Sequence, residues 1–310
     1  TTDGNMLVIE NASSLMLLTR IEYFPVFTED KVVNLRKETE AVMPDYQALL
    51  DRHQMIQSEM LNRVSVSFGG ATQYGMSSEE LMAVQLSHPG YSSALLEKIF
   101  EMGRYWFILN SGRYPVMAAG INSTINLQME GAVQGDLREG IDAYFRWMEE
   151  IRPDCRKNAG NIFGCRGASY PLFPDKDLGV KFYYTPVTRI GIWPYWISAG
   201  GCSARHFWDH YLVTGDDDFL RNRVIPVYKE LAEFYEDFLT VTDEDGNFIF
   251  VPSISPENVS RSKDQSGPVL INSVMDIAVC REVLTVLIQA CGILGTDTES
   301  VAKWEVMMAK

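Results

Sequence analysis

The chain has 310 residues, of which 46% are hydrophobic, 11% aromatic and 22% charged, and its 27 Lys and Arg against 41 Asp and Glu give a net charge of −14. These values exclude a disordered chain, a collagen-like chain and a small disulfide scaffold, and with no clustered Lys/Arg run they exclude nucleic acid as a partner. The five cysteines, Cys155, Cys165, Cys202, Cys280 and Cys291, are odd in number and lack a CxxC spacing, so they read as mostly buried thiols, with neither disulfides nor a metal site expected.

In chain order, Asp3-Gly4 reads as a hairpin turn, and residues 5–10 and 14–19 read as strands separated by the polar Asn11-Ala12-Ser13. From Pro44 the period changes to 3.6: Tyr46, Leu49, Leu50, His53 and Ile56 share a face up to Asn62, and a short alternating run occupies 64–68. Beyond Ser77 the chain is predicted helical. Ser77-Ser78-Glu79-Glu80 is a capping box, and helices are expected over 91–109, 131–151, 196–212, 217–241, 274–294 and 300–310. The apolar stretch 274–294 carries Asp276, Arg281 and Glu282, which argues against a membrane span. Two long connections, 158–193 and 246–268, are rich in Gly, Pro and Tyr, and loops of that length in a compact domain are usually functional. Helices with long loops at one end suit an α/α toroid better than a four-helix bundle. The chain opens without Met and stops inside a helical stretch, so both ends read as cuts, and the absence of a visible leader leaves the compartment unassigned.

Four segments could carry chemistry. Pro252-Ser253-Ile254-Ser255-Pro256-Glu257-Asn258 sets one carboxylate directly after two prolines and their fixed backbone, which suits a rigidly presented general acid or, equally, a helix start with Ser255 as N-cap. Ile121-Asn122-Ser123-Thr124-Ile125-Asn126-Leu127-Gln128 concentrates amides and hydroxyls that suit sugar hydroxyls or a water, and also a capped helix start. Trp193-Pro194-Tyr195-Trp196, Gly200-Gly201 and then His206-Phe207-Trp208-Asp209-His210 fit a sugar platform or a packed aromatic interface. His206 and His210, at i, i+4, lack a third ligand for a metal. Asp276 fits a capping box from Ser273, a buried ion pair with Arg281, or a site carboxylate.

The order of these segments resembles the catalytic core of glycoside hydrolase family 95, which contains α-L-fucosidases and α-L-galactosidases. The resemblance rests on Gly103-Arg104-Tyr105, Thr124-Ile125-Asn126-Leu127-Gln128-Met129, Trp193-Pro194, the run from His206 through Asp209-His210-Tyr211 to Thr214-Gly215-Asp216, the Ser-Pro-Glu-Asn loop, and Met275-Asp276 with Arg281. It implies a mainly α fold: residues 1–35 as the end of an N-terminal β-domain, 36–75 as a helical linker, and 76–310 as a partial (α/α)6 toroid. It further implies an inverting glycosidase without a cofactor, acting on terminal α-L-fucosyl or α-L-galactosyl residues of an oligosaccharide or glycoconjugate. Glu257 corresponds to the general acid, and Asn126 to one of two asparagines that position the water. Thr124 stands where the other asparagine is expected, which motivates the alternative of a non-catalytic carbohydrate-binding relative. Trp193, Trp196, His206, Trp208, Asn258, Asp276 and Arg281 are the expected substrate-binding residues. The aspartate that completes the family's site is expected beyond Lys310, and family tendency points to secretion or the periplasm. Oligomeric state is unassigned.

Overall fold

The computed structural model describes residues 2–3, 6–22, 27–42, 44–112, 115, 123–172, 195–255, 258, 260–261, 266–267 and 269–310; for 2–3, 6–7, 123–127, 260–261 and 266–267 it describes the backbone alone. The chain divides into two compact units, Thr1–Asn62 and Arg63–Lys310.

In the first unit, β1 (Thr2–Asp3) pairs antiparallel with β2 (Met6–Leu7) through Thr2↔Leu7 and Asp3↔Met6. The strand expected over 14–19 does not form: these residues have no ladder partner, and an unpaired strand leaves its N–H and C=O groups to water. A helix not anticipated from the sequence, α1 (Glu29–Glu40), comes next; Val32, Val33 and Leu35 are too few for a clear apolar stripe, while Glu29 and Asp30 at its start and Lys37 at its end favour it. The expected helix from Pro44 is α2 (Tyr46–Leu61), capped by Asp45, which accepts the Ala48 N–H at 3.1 Å.

The second unit is stapled at its start. Arg63 forks onto both oxygens of Glu139 at 2.7 and 3.0 Å, and Arg104 donates to the Val64 and Gly135 carbonyls at 2.7 and 3.2 Å. The alternating run 64–68 is thus held as irregular chain, without a strand partner. The predicted capping box opens α3 (Ser78–Ser87), with Ser77 and Glu80 bonding each other's backbone. Next is α4 (Ser93–Asn110), capped by Ser92. The single helix expected over 131–151 is instead two, α5 (Ser123–Gln134) and α6 (Arg138–Asn158), because Asp136 takes a left-handed conformation, φ +51°, between them. α6 turns Ile141, Tyr144, Phe145, Met148, Ile151 and Cys155 inward at helical spacing, and a π-turn at Ala159–Phe163 closes it at Gly164, φ +70°.

α7 (Ala199–Thr214) ends at Gly215 in the left-handed region. The helix expected over 217–241 is broken into α8 (Asp217–Phe219), a π-turn at Leu220–Val224 and α9 (Ile225–Phe238). Pro226 supplies the reason: it has no N–H for the preceding turn, and its ring would meet the carbonyl four residues back in an unbroken α-helix. After α9 come four two-residue strands: β3 (Ser253–Ile254), β4 (Ser260–Arg261), β5 (Ser266–Gly267) and β6 (Val269–Leu270), paired antiparallel as β3 with β6 and β4 with β5. α10 (Val274–Leu294) has the predicted bounds, and α11 (Thr298–Met308) completes the chain.

By length and composition α10 could cross a membrane, but its apolar residues serve the core: Val279, Cys280, Val283, Leu284, Val286, Leu287, Ala290 and Cys291 are all buried. Helix α7 runs beside it in the same direction. Ser198, just before α7, reaches Asp276 in the first turn of α10, and two turns further along both helices Arg205 lies 3.9 Å from Glu282. Close approach depends on two glycines: a Cβ at Gly201 would sit 2.3 Å from Val279, and one at Gly200 would sit 2.6 Å from Leu231 of α9 and 2.8 Å from Tyr170. The architecture is mainly α, part of an α/α toroid.

Candidate functional site

The loop that carries the predicted acid grows out of a hairpin. Asp243 and Asn247 close it, the Asp243 N–H donating to the Asn247 carbonyl at 2.9 Å, with Gly246 at φ +82° as the tight turn requires. The chain leaving the hairpin is then bracketed by Asn272, whose Oδ1 accepts the Phe250 N–H at 2.8 Å and whose own N–H donates back to the Phe250 carbonyl at 3.0 Å. Asn272 tolerates the left-handed conformation this needs, φ +56°. Strand β3 continues from there and pairs with β6, in register Ser253↔Leu270 and Ile254↔Val269.

Asp276 is the hub that joins this loop to the helices. Its carboxylate is 0% exposed and accepts hydrogen bonds from the Ser253 hydroxyl at 2.6 Å, the Ile254 N–H at 2.9 Å and the Ser198 hydroxyl. The Ser253 hydroxyl in turn accepts the Ser273 N–H at 2.9 Å. Burial raises the Asp276 pKa above the ordinary carboxylate value, and these donors, with Trp196 beside it, oppose the rise without cancelling it. The capping box suggested by Ser273 and Asp276 does not form: the Asp276 side chain turns away from its own helix start to the loop and to α7. Its partners are serines and a backbone N–H, where the sequence had offered Arg281, which is exposed on α10.

Beyond β3, the residues on either side of Pro256 and Glu257 are tied together. The Ser255 carbonyl accepts the Asn258 N–H at 3.1 Å, and the Asn258 side-chain amide donates to the Ser255 hydroxyl at 3.0 Å. Asn258 itself is exposed. Glu257 and Trp193 lie outside the described residues, as do the side chains of Thr124 and Asn126, whose backbone forms the first turn of α5. Helix α5 packs on α7.

The aromatic segment divides. Trp196 is 1% exposed and packs with Leu172, Ala199 and Ile254, so the indole lies directly under β3. His206 is also buried, edge-on to the Tyr144 ring at 5.4 Å between centroids, and burial lowers its pKa to about 4, which keeps it neutral at pH 7. His210 packs against Phe145 and Phe219. Among the described residues no group of three metal-ligating side chains occurs. Trp208 is half-buried and stacks on Tyr211 at 5.3 Å. The structure therefore brings Trp196, Asp276 and the loop ending at Asn258 into one network, while His206, Trp208 and Arg281 lie about two turns along their helices. The sequence reading missed Ser198 and the role of Ser253, because a serine with no spacing partner carries no motif; the signal was the buried carboxylate, which needs donors.

Residues 45–310 match the family described as Glycosyl hydrolase family 95 catalytic domain. The chain is 26% identical over 279 residues to α-L-fucosidase 2 of Arabidopsis thaliana, covering 82% of this chain and 32% of that protein. It is also 26% identical over 247 residues to an Aspergillus niger protein named for α-fucosidase A, covering 72% of this chain and 30% of the relative. The chain thus spans about a third of the length of these relatives. Among solved structures it resembles a chain described as a kojibiose phosphorylase from the human microbiome, with a TM-score of 0.55 at 11% identity over 91% of this chain and 40% of that one. That likeness concerns the fold.

Proposed function

The chain belongs to glycosyl hydrolase family 95, and from that premise we propose that the protein is an inverting exo-glycosidase that removes terminal α-L-fucosyl or related α-L-galactosyl residues from glycans. Glu257 is the general acid that protonates the glycosidic oxygen. Asn126, with Thr124 one half-turn before it, positions the water that attacks the opposite face of the sugar. An inverting enzyme keeps acid and base roughly 6.5–9.5 Å apart to admit that water. Trp193 and Trp208 offer flat apolar faces to the sugar ring, His206 and Trp196 shape the pit from the core side, and Asn258 and Arg281 supply hydrogen bonds.

The observation that carries this reading is the loop on both sides of Glu257. Its base is anchored to a fully buried carboxylate, and Ser255 and Asn258 are cross-tied across the two residues between them. Preorganisation of that kind is what a proton donor needs, since a catalytic group must stay within hydrogen-bond reach of the leaving oxygen.

The test uses the full-length protein and an aryl α-L-fucoside. Glu257→Gln is expected to lower kcat by about 10²- to 10⁴-fold, the usual share of a general acid. NMR of the first-formed sugar is expected to show the β-anomer. Unchanged activity in the variant overturns the acid assignment, and an α-anomer as first product overturns inversion. Thr124 supports a second reading, since a hydroxyl cannot present an amide carbonyl and amine together: glycan binding by calorimetry with no turnover would identify a carbohydrate-binding relative.

A further inference from the structure

A carboxylate with no exposed surface does not reach a substrate; it acts through what it holds. Asp276 holds two segments distant in sequence. One is Ser198, which lies two residues after Trp196 and opens α7; the other is Ser253-Ile254, which lies four and three residues before Glu257. The Ser253 hydroxyl adds the Ser273 N–H, so the loop base also takes the place of the missing side-chain cap on α10. Packing alone would be served as well by an apolar side chain, because the surroundings include Trp196, Leu172 and Ile254, and a buried carboxylate carries a desolvation penalty that an isostere such as leucine avoids. What an apolar side chain lacks is direction: three donors converging on two oxygens fix β3 in both position and rotation relative to α7 and α10.

We propose that Asp276 is a positioning residue for the general acid, setting the height and angle at which the loop presents Glu257, with Ser198 and Ser253 as its two side-chain handles. The proposal rests on Glu257 being that acid. A displaced acid fails only where a proton must be delivered. Phenyl α-L-fucoside has a leaving group that needs protonation; α-L-fucosyl fluoride has one that departs without it. The water, the sugar contacts and the fold serve both substrates alike, so a merely structural role lowers both together.

In the full-length protein, Asp276→Asn is expected to reduce kcat on phenyl α-L-fucoside by about 10- to 100-fold while changing kcat on the fluoride by less than about threefold and leaving KM within about twofold. Ser253→Ala and Ser198→Ala should show the same selectivity in smaller measure, and they decide the matter if Asp276→Asn has no cooperative thermal transition. Equal losses on both substrates across these variants overturn the positioning role. Glu257→Gln separates the two levels: if it spares the fluoride and abolishes the phenyl fucoside while the Asp276 and serine variants lower both equally, only the positioning role falls. If Glu257→Gln leaves the phenyl fucoside untouched, the acid assignment falls and the positioning role falls with it.

Discussion

Burial decides the charge state of His206. Its imidazole is 3% exposed and sits edge-on to Tyr144, so desolvation, with Arg205 on the preceding position adding to it, holds the pKa near 4 against an ordinary value of 6.5. A lowered histidine pKa contributes stability that is complete above 6.5 and is lost as pH falls toward the folded value, because the unfolded chain takes up the proton first. Between pH 7.5 and pH 5 this one side chain is expected to cost about 2 kcal/mol, at 1.36 kcal/mol per pKa unit. Urea denaturation at the two pH values measures it, and His206→Phe should shrink the difference by a comparable amount; no change in the pH dependence would show that His206 is not buried neutral. His210, also lowered by burial, adds in the same direction. Asp276 has the opposite sign: its raised pKa favours the fold at low pH and loses that contribution as pH rises through the folded value.

At the scale of elements, contact between α7 and α10 depends on an absent side chain. Gly201→Ala would place a methyl group 2.3 Å from Val279 and 2.9 Å from Val283, and the expected cost is about 1–3 kcal/mol, as for other overpacked cores. Gly103 in the exposed part of α4 has nothing within 4 Å of the added atom, so Gly103→Ala should stabilise by about 0.5–1 kcal/mol through helix propensity. Thermal melts of the two variants should move in opposite directions. The same helices show what the sequence made legible. α10 could be read to its ends because Ser273 and Gly295 punctuate a continuous apolar run, and Gly295 does take the left-handed stop, φ +63°. The break between α5 and α6 was hidden: the apolar period runs through Gly135 and Asp136 and outweighs their turn character until the backbone is seen to reverse there. The interruption at Leu220–Val224 has no Gly or Pro inside it, only Pro226 after it. At the site, the Ser-Pro-Glu-Asn loop and Asp276 were legible as separate motifs; their union through Ser198 and Ser253 depends on contacts 78 and 23 residues apart, which no local period encodes.

Across the whole molecule burial is unevenly shared. No described residue of the first unit is fully buried, and α1 and α2 turn inward only half-buried positions such as Leu35, Leu49 and Leu50, whereas every buried residue among those described lies at Gly70 or beyond. Helices that bury little open at little cost. Hydrogen exchange of this 310-residue chain should therefore show α1 and α2 amides exchanging at least about 100-fold faster than those of α9 and α10; equal protection would contradict the lack of fully buried residues among those described in the first unit. The second unit has a polarity of another kind. α7 and α10 start side by side, each helix start carries roughly half a positive charge from its aligned peptide dipoles, and neither Ser198 nor Ser273 offsets it with a side-chain cap. A chain of net charge −14 thus bears a local positive field at the rim where the loop attaches. Asp276 answers that field from the third position of α10. Any further carboxyl brought to this rim is drawn toward its ionised form, so one that must hand over a proton here has to be screened from both helix starts.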